Sequence, residues 1–372
     1  MRSFFYTLIV LAILFLSWPA IEKLITKNND SPVVYKLQSS LEQIKENPYI
    51  SEALDNLYAS LSQLIGSDET ATDPQRENVE KPALTKPAEQ AFSIHNIELQ
   101  ESKQKAEQIL GTPQRSSYNE YGVEWHTYHT DYQNFLMVAY DKNNQVAGLY
   151  TNQDLIASAS GIKLGSDRNT VLQKLGKPLS QLRKGLVYMK LQTDQEYDMF
   201  MIDHSYVTIF YDKHENNTVT AIQIISNDLE QEKPAFYAEA SEQLKEGLEY
   251  QLFDLTNAAR VNHHLPILTW NNPVKETARK HSADMAKQNY FSHTNLRGQS
   301  PFDRMKADHI FFTTAGENLA YGQFSSVFAH EGLMNSLGHR ENILRPEYRF
   351  LGVGVAFNKE SQPYYTENFF AK

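Results

Sequence analysis

The sequence contains no cysteine. That absence excludes disulfides, thiolate metal sites, a cysteine nucleophile and a lipidated cysteine of the lipoprotein type, so any chemistry rests on histidine, carboxylate, hydroxyl and amide groups. There is also no run rich in Lys and Arg, and 45 acidic against 35 basic residues leave a net charge of −10. The positive footprint of nucleic-acid binding is missing, and an acidic partner is not expected. A Gly-x-Ser-x-Gly nucleophile elbow is absent as well. His330-Glu331 opens a helical zinc-protease motif, but Met334 stands where its second histidine belongs.

At roughly 150 residues per domain, the 372 residues predict two folded units. The stretch from Ser3 to Ile21 is uncharged and close to the roughly 20 apolar residues that cross a bilayer. Ser17-Trp18-Pro19-Ala20 makes a poor cleavage site, so residues 1–30 read as an uncleaved signal anchor, with a cleaved signal peptide and secretion as the alternative. Everything after it is then extracytoplasmic. In 31–65, Leu37, Leu41 and Ile44, then Leu54, Leu57, Leu61 and Leu64, recur three and four apart and predict a short helical stalk that could also pair weakly with a second copy. Residues 66–90 are polar, charged and proline-bearing, the composition of a flexible linker.

An internal echo follows. Leu110-Gly111-Thr112-Pro113 and Leu175-Gly176-Lys177-Pro178 each end a helical pattern, and each is followed by alternating strands and a Tyr-Asp-Lys turn, at Tyr140 and at Tyr211. The expectation is an α+β domain over 92–227 built from two similar repeats. Four of its histidines, His126, His129, His204 and His214, lack ligand spacing.

In the last domain, 239–372, Leu244, Leu248, Leu252 and Leu255 mark one face of a helix. An asparagine cap with Pro273 at the first helical position opens a second helix, and the C-terminal residues read as two strands around a turn. Three polar turns could carry chemistry: Phe291-Ser292-His293, Gly316-Glu317-Asn318, and Ser336-Leu337-Gly338-His339. A neutral imidazole can ligate a metal or accept a proton, and a neighbouring carboxylate can orient it. Gly338 suits a left-handed position ending a helix over 327–337, so that His339 emerges beyond it. Ser336 and Ser292 are candidate hydroxyls, Arg340 and Glu341 read as surface or terminal charges, and Asn318 and Asn335 as ties between loops.

Taken together and in this order, the Leu268-Thr269-Trp270 segment with the helix after it, the His293 turn, Gly316-Glu317-Asn318-Leu319-Ala320-Tyr321-Gly322 and Met334-Asn335-Ser336-Leu337-Gly338-His339 resemble the CAP superfamily. That superfamily holds the cysteine-rich secretory proteins, insect venom antigens and plant pathogenesis-related proteins. The resemblance covers Gln243 to Ala371, roughly a third of the chain. It implies an α-β-α sandwich whose open cleft holds a divalent ion, zinc before calcium or magnesium, on His293 and His339, with Glu317, Glu331, Ser336 and Asn318 lining it. The family's second acid commonly lies three residues after a tryptophan in the helix before the second histidine. Here Leu333 and Ser336 take those two positions. The 92–227 region resembles the CAP-associated domain of Gram-positive envelope proteins, which brings no catalytic residues. The expected function is an envelope protein binding a metal and a glycan, peptide or lipid ligand in this cleft. The alternative is a peptidase or cell-wall hydrolase in which Ser336, His339 or Glu317 acts.

Overall fold

A computed structural model describes residues 77–191 and 196–372. The expected anchor (1–30), the stalk (31–65) and the first part of the linker lie outside the described residues. Among the described residues no helix is long and apolar enough to cross a membrane. The rest of the linker, 77–90, departs from the expected free spacer. The Glu98 carboxylate accepts the main-chain N–H groups of Ala88, Glu89 and Gln90 at 2.7, 2.9 and 2.6 Å, and the Asn134 amide donates to the Glu80 carbonyl at 2.9 Å. Side chains on the neighbouring domain therefore pin a segment whose own composition offers no core.

The first domain begins with β1 (Phe92–Ile94) and α1 (Lys103–Leu110). Then come β2 (Arg115–Tyr118), β3 (Glu124–Thr130), β4 (Gln133–Tyr140), β5 (Val146–Thr151) and β6 (Ile156–Ser158). Its second half holds α2 (Arg168–Leu175), β7 (Gln181–Lys184), β8 (Val187–Lys190), β9 (Tyr197–Ile202), β10 (Ser205–Asp212), β11 (Thr218–Ser226) and α3 (Asn227–Glu232). Seven of the strands make one sheet in the order β2-β3-β4-β5-β11-β10-β9, antiparallel throughout. Helices α1 and α2 begin on side-chain caps, Ser102 and Asp167, and end on Gly111 and Gly176 with φ of 77° and 81°. A glycine reaches that positive φ without a steric penalty.

This sheet is covered on both faces, and the strand β4 shows how. Leu136, Val138 and Tyr140 join the core that includes Ala106 of α1 and Val171 of α2. Phe135, Met137 and Ala139, on the other face, join a core shared with Leu248, Leu252, Val327 and Phe328 of the next domain. The two domains thus share one continuous apolar cluster.

The second domain holds α4 (Glu242–Asn262), β12 (Thr269–Trp270), α5 (Asn272–Gln288), α6 (Pro301–Ala307) and β13 (Thr314–Tyr321). It ends with α7 (Ser326–Asn335), α8 (Leu337–Ile343), β14 (Phe350–Phe357) and β15 (Pro363–Ala371). Its sheet runs β12-β14-β15-β13, with β13 at an edge. The predicted leucine face of α4 is buried throughout. Leu351, Val353 and Val355 of β14 pack on the α4 side. Gly352 and Gly354 face α5, where a Cβ would overlap the backbone at Val274-Lys275 and Ala278-Arg279. Glycine at these alternate positions lets the helix axis approach the strand directly. Helices therefore lie on both faces of the sheet. Two local expectations shift: Asn271 rather than Asn272 caps α5, and Gly338 lies inside α8 without a positive φ. Helix α7 stops two residues before the expected Leu337, at Asn335, and His339 sits in the first turn of a new helix.

Candidate functional site

The edge strand β13 alternates its side chains between the two faces of the sheet. Glu317 points to the α5 and α6 side, and Asn318 to the α8 side. The loop bearing His293 is built rigidly. Helix α5 ends on Asn289 in the left-handed conformation, and buried His281 holds the Ser292 carbonyl through Nε2 at 3.0 Å. A Ser300–Asp303 capping box starts α6 and sets Arg304 inward. Its guanidinium donates to the main-chain oxygens of His293 (2.7 Å) and Gln299 (3.0 Å), and to Glu317 Oε2 at 2.6 Å.

Glu317 is therefore held on both oxygens. Oε2 takes Arg304, and Oε1 lies 3.0 Å from His293 Nδ1. A carboxylate can only accept, so Nδ1 carries the proton, and whenever the ring is in its neutral form Nε2 keeps its lone pair. The Glu317 carboxyl is buried while the His293 ring is half exposed, with 52 % of its side-chain surface open. Across the edge, His339 Nδ1 lies 2.8 Å from Ser336 Oγ. Burial, and then the charge of nearby His293, hold His339 below its usual pKa, so this ring is neutral at pH 7. Among the described residues, neither histidine's Nε2 has a hydrogen-bond partner.

This arrangement is similar to that of known proteins. Over 278 residues the chain is 30 % identical to the uncharacterized membrane protein YlbC of Bacillus subtilis (strain 168), covering 70 % of this chain and 78 % of that one. The profile of the CAP-associated N-terminal domain matches residues 99–236, and that of the cysteine-rich secretory protein family matches residues 253–369. The chain belongs to the cysteine-rich secretory protein (CAP) family. The chain is also 40 % identical over 124 residues to the uncharacterized protein YkwD of the same organism, covering 33 % of this chain and 47 % of that one. In fold it is similar to an extracellular SCP-domain protein of Bacillus anthracis, with a TM-score of 0.64 at 24 % identity over 80 % of this chain and 99 % of that one. A cysteine-rich secretory protein of Staphylococcus aureus follows, with a TM-score of 0.59 at 15 % identity over 77 % and 95 %.

Within the CAP domain the predicted residues separate into two groups. His293, Glu317, Ser336 and His339 gather around the β13 edge. Glu331 does not line the cleft: it is buried on α7 facing the CAP-associated domain, where the Tyr150 hydroxyl donates to Oε1 at 2.7 Å. Asn318 does not line it either. It is fully buried on the other face of β13, donating to the His339 carbonyl and to Glu367 Oε2, both at 3.1 Å. Arg340, expected as a surface or helix-terminal charge, is the basic residue of the last turn of α8, and it is not at the surface: it makes a buried bond to Asp212 of the CAP-associated domain at 2.8 Å. Asn335 accepts from the Lys213 N–H and donates to the Tyr211 carbonyl, both at 2.9 Å. The residues on either side of Ser336 and His339 are thus anchored in the other domain. Ser292 contributes its carbonyl to His281 and its hydroxyl to the Thr294 N–H.

Arg304 is the site residue that sequence reasoning missed. The Ser300-Pro301-x-Asp303 cap was a usable signal for the helix that carries it, but nothing local points to its partner Glu317. Among the described residues, no three His, Asp or Glu side chains come together as a metal-ligand set. Two imidazole nitrogens, His293 Nε2 and His339 Nε2, could still hold an ion whose other positions are open, with Glu317 orienting rather than ligating. The imidazole pair suits zinc better than calcium or magnesium, which prefer oxygen.

Proposed function

We propose that this is an extracytoplasmic, membrane-anchored CAP-domain protein whose cleft holds one divalent ion, zinc by donor chemistry, between His293 and His339 and presents it to a ligand. The observation that carries this reading is the Arg304–Glu317–His293 chain, a buried ion pair that fixes the tautomer of a half-exposed imidazole. Such a carboxylate partner makes imidazole more basic and sets its direction, at the cost of a buried charge pair that packing alone does not require. Phe291, Leu296 and Leu337, near the two histidines in sequence, are all exposed. They favour a ligand with an apolar part, a peptide or lipid ahead of a bare glycan.

The membrane anchor is supported by the apolar run from Ser3 to Ile21 and by the membrane-protein description of the YlbC relative. The division into anchor, stalk, linker, repeated domain and CAP domain is part of the same proposal. Duplication inside the CAP-associated domain is favoured by the matched glycine-ended helices and by a sheet in which β3-β4-β5 meets β11-β10-β9. A hydrolase is the second reading, favoured by the Ser336 hydroxyl 2.8 Å from His339 Nδ1. It lacks an orienting partner on the other ring nitrogen and a defined oxyanion donor.

Zinc titration by calorimetry of the whole chain, beside His293→Ala and His339→Ala, tests the binding reading. Micromolar binding lost in both variants is expected, and weaker binding at pH 5.5 than at pH 7.5 as protons compete for the imidazoles. No binding by the unaltered protein refutes it. Turnover of peptidoglycan or protein that is abolished by Ser336→Ala would establish the second reading instead.

A further inference from the structure

The β7–β8 hairpin stands apart from the seven-stranded sheet, and its base and tip differ. At the base, Leu182 and its cross-strand partner Met189 pack toward the shared core. Nearer the turn, on the same seated face, Lys184 is buried in an ion pair with Glu230 at 2.6 Å. The base is seated. At the tip, Leu186, Val187 and Tyr188 are 92 %, 61 % and 55 % exposed, and Leu186 is the most exposed large hydrophobic side chain among the described residues. Gly185, with a φ of 57°, takes the positive φ of a tight hairpin loop and sets Leu186 at the apex. Three consecutive apolar side chains in water forgo burial that a partner surface would supply.

The charge beside this tip has one sign. From Arg168 to Leu191 the sequence holds six basic residues and no acidic one, in a chain of net charge −10. Four of the six are engaged: Arg168 with Asp198, Lys184 with Glu230, Lys174 with the Ser160 carbonyl and Arg183, through Nε, with the Gly185 carbonyl of its own turn at 2.8 Å. Lys177, Arg183 and Lys190 are exposed and have no acidic partner among the described residues. Arg183 lies over the ring of its cross-strand neighbour Tyr188, 5.6 Å from the centroid.

An acidic polymer would satisfy these cations and leave Leu186 and Val187 in water. A neutral apolar surface would bury the tip and leave the cations unpaired. An anionic bilayer surface satisfies both: aliphatic side chains enter the acyl boundary, tyrosine sits at headgroup depth, and Lys and Arg reach the phosphates. We propose that the β7–β8 hairpin is a membrane-contact element, inserting Leu186, Val187 and Tyr188 into a bilayer that carries anionic lipid, with Lys177, Arg183 and Lys190 on the headgroups. This contact is independent of the cleft and its metal.

Because the chain has no cysteine, Leu186→Cys gives the full-length protein a unique site for an environment-sensitive NBD label. Position 186 is solvent-exposed, so the label leaves the fold intact, as circular dichroism will verify. The labelled protein is mixed with vesicles of phosphatidylcholine alone or with phosphatidylglycerol added, beside a Glu360→Cys control on the exposed β14–β15 turn. The label reports the hairpin itself, whatever the N-terminal segment does. The expected result is a blue-shifted, brighter emission at 186 with phosphatidylglycerol only, absent at 360 and reversed by salt. Adding Arg183→Glu and Lys190→Glu lowers the inserted fraction by on the order of tenfold or more. No shift at 186 with either vesicle overturns the proposal. So does an equal shift in both vesicle types, or a shift unmoved by the charge reversals. A shift without vesicles that grows with protein concentration overturns it in favour of a second copy covering the tip.

Discussion

Replacing Glu331 by glutamine should stabilise the protein at pH 8 and leave it nearly unchanged at pH 5. Burial, the main cause, pushes this carboxyl from its ordinary 4.5 up to about 7; the Asp212 charge adds to the push, while the Tyr150 hydroxyl and Arg340 oppose it. The unfolded chain ionises at the ordinary value. Below about 4.5 both states hold the proton, and the group costs nothing. Between there and about 7 only the folded state keeps it, so stability falls as pH rises. Above about 7 the full cost is present. The interval from 4.5 to about 7, at ~1.4 kcal/mol for each pH unit, sets an upper bound of about 3.5 kcal/mol. Glutamine keeps the shape, and its carbonyl still accepts from Tyr150. Urea unfolding midpoints at the two pH values, followed by circular dichroism, measure the effect. Glu120 and Glu367, also pushed up to about 7 by burial, remain in both proteins, so the difference isolates Glu331. A loss of stability at both pH values, or the same gain at both, would refute the reasoning.

Three further outcomes follow from the packing. Arg304→Met strips the buried Glu317 carboxylate of its charge partner, a loss of about 3–5 kcal/mol by calorimetry that Glu317→Gln in the same chain should partly restore. Gly247→Ala drives a Cβ into the Tyr118 carbonyl where α4 crosses β2. Thermal unfolding should register a loss of about 1–3 kcal/mol, whereas an unchanged midpoint would mean that the domains do not dock this closely. Asn335→Ala leaves the Lys213 N–H and the Tyr211 carbonyl unpaired. It should cost roughly 1–3 kcal/mol and weaken zinc binding, since Ser336 follows directly; full affinity in a destabilised variant would separate the anchor from the cleft.

Elements whose signal is local were legible in the sequence. Four leucines at helical spacing gave α4, the Leu-Gly pairs ended α1 and α2, and the Asn-rich turns placed the hairpins. The polar turns of His293, Glu317 and His339 stood out for the same reason. What escaped depends on partners far along the chain. Glu331 and Tyr150 are 181 residues apart, and nothing near Glu331 says that it faces another domain. Gly338 was misread because a glycine that ends one helix and a glycine inside the first turn of the next look alike without φ. The alternation Gly352-Val353-Gly354 announced a helix lying on that strand, and the acid-free stretch from Arg168 announced a charged face.

The edge position of β13 restricts how a peptide could be read. An open edge strand normally offers its backbone as a template for another strand. Here the Asn342 amide donates to the main-chain oxygen of Glu317 at 3.3 Å, and α8 stands beside that edge. On the function proposed above, a peptide entering beside His293 and His339 would find the Glu317 carbonyl already taken, and would be recognised there by its side chains more than by strand pairing.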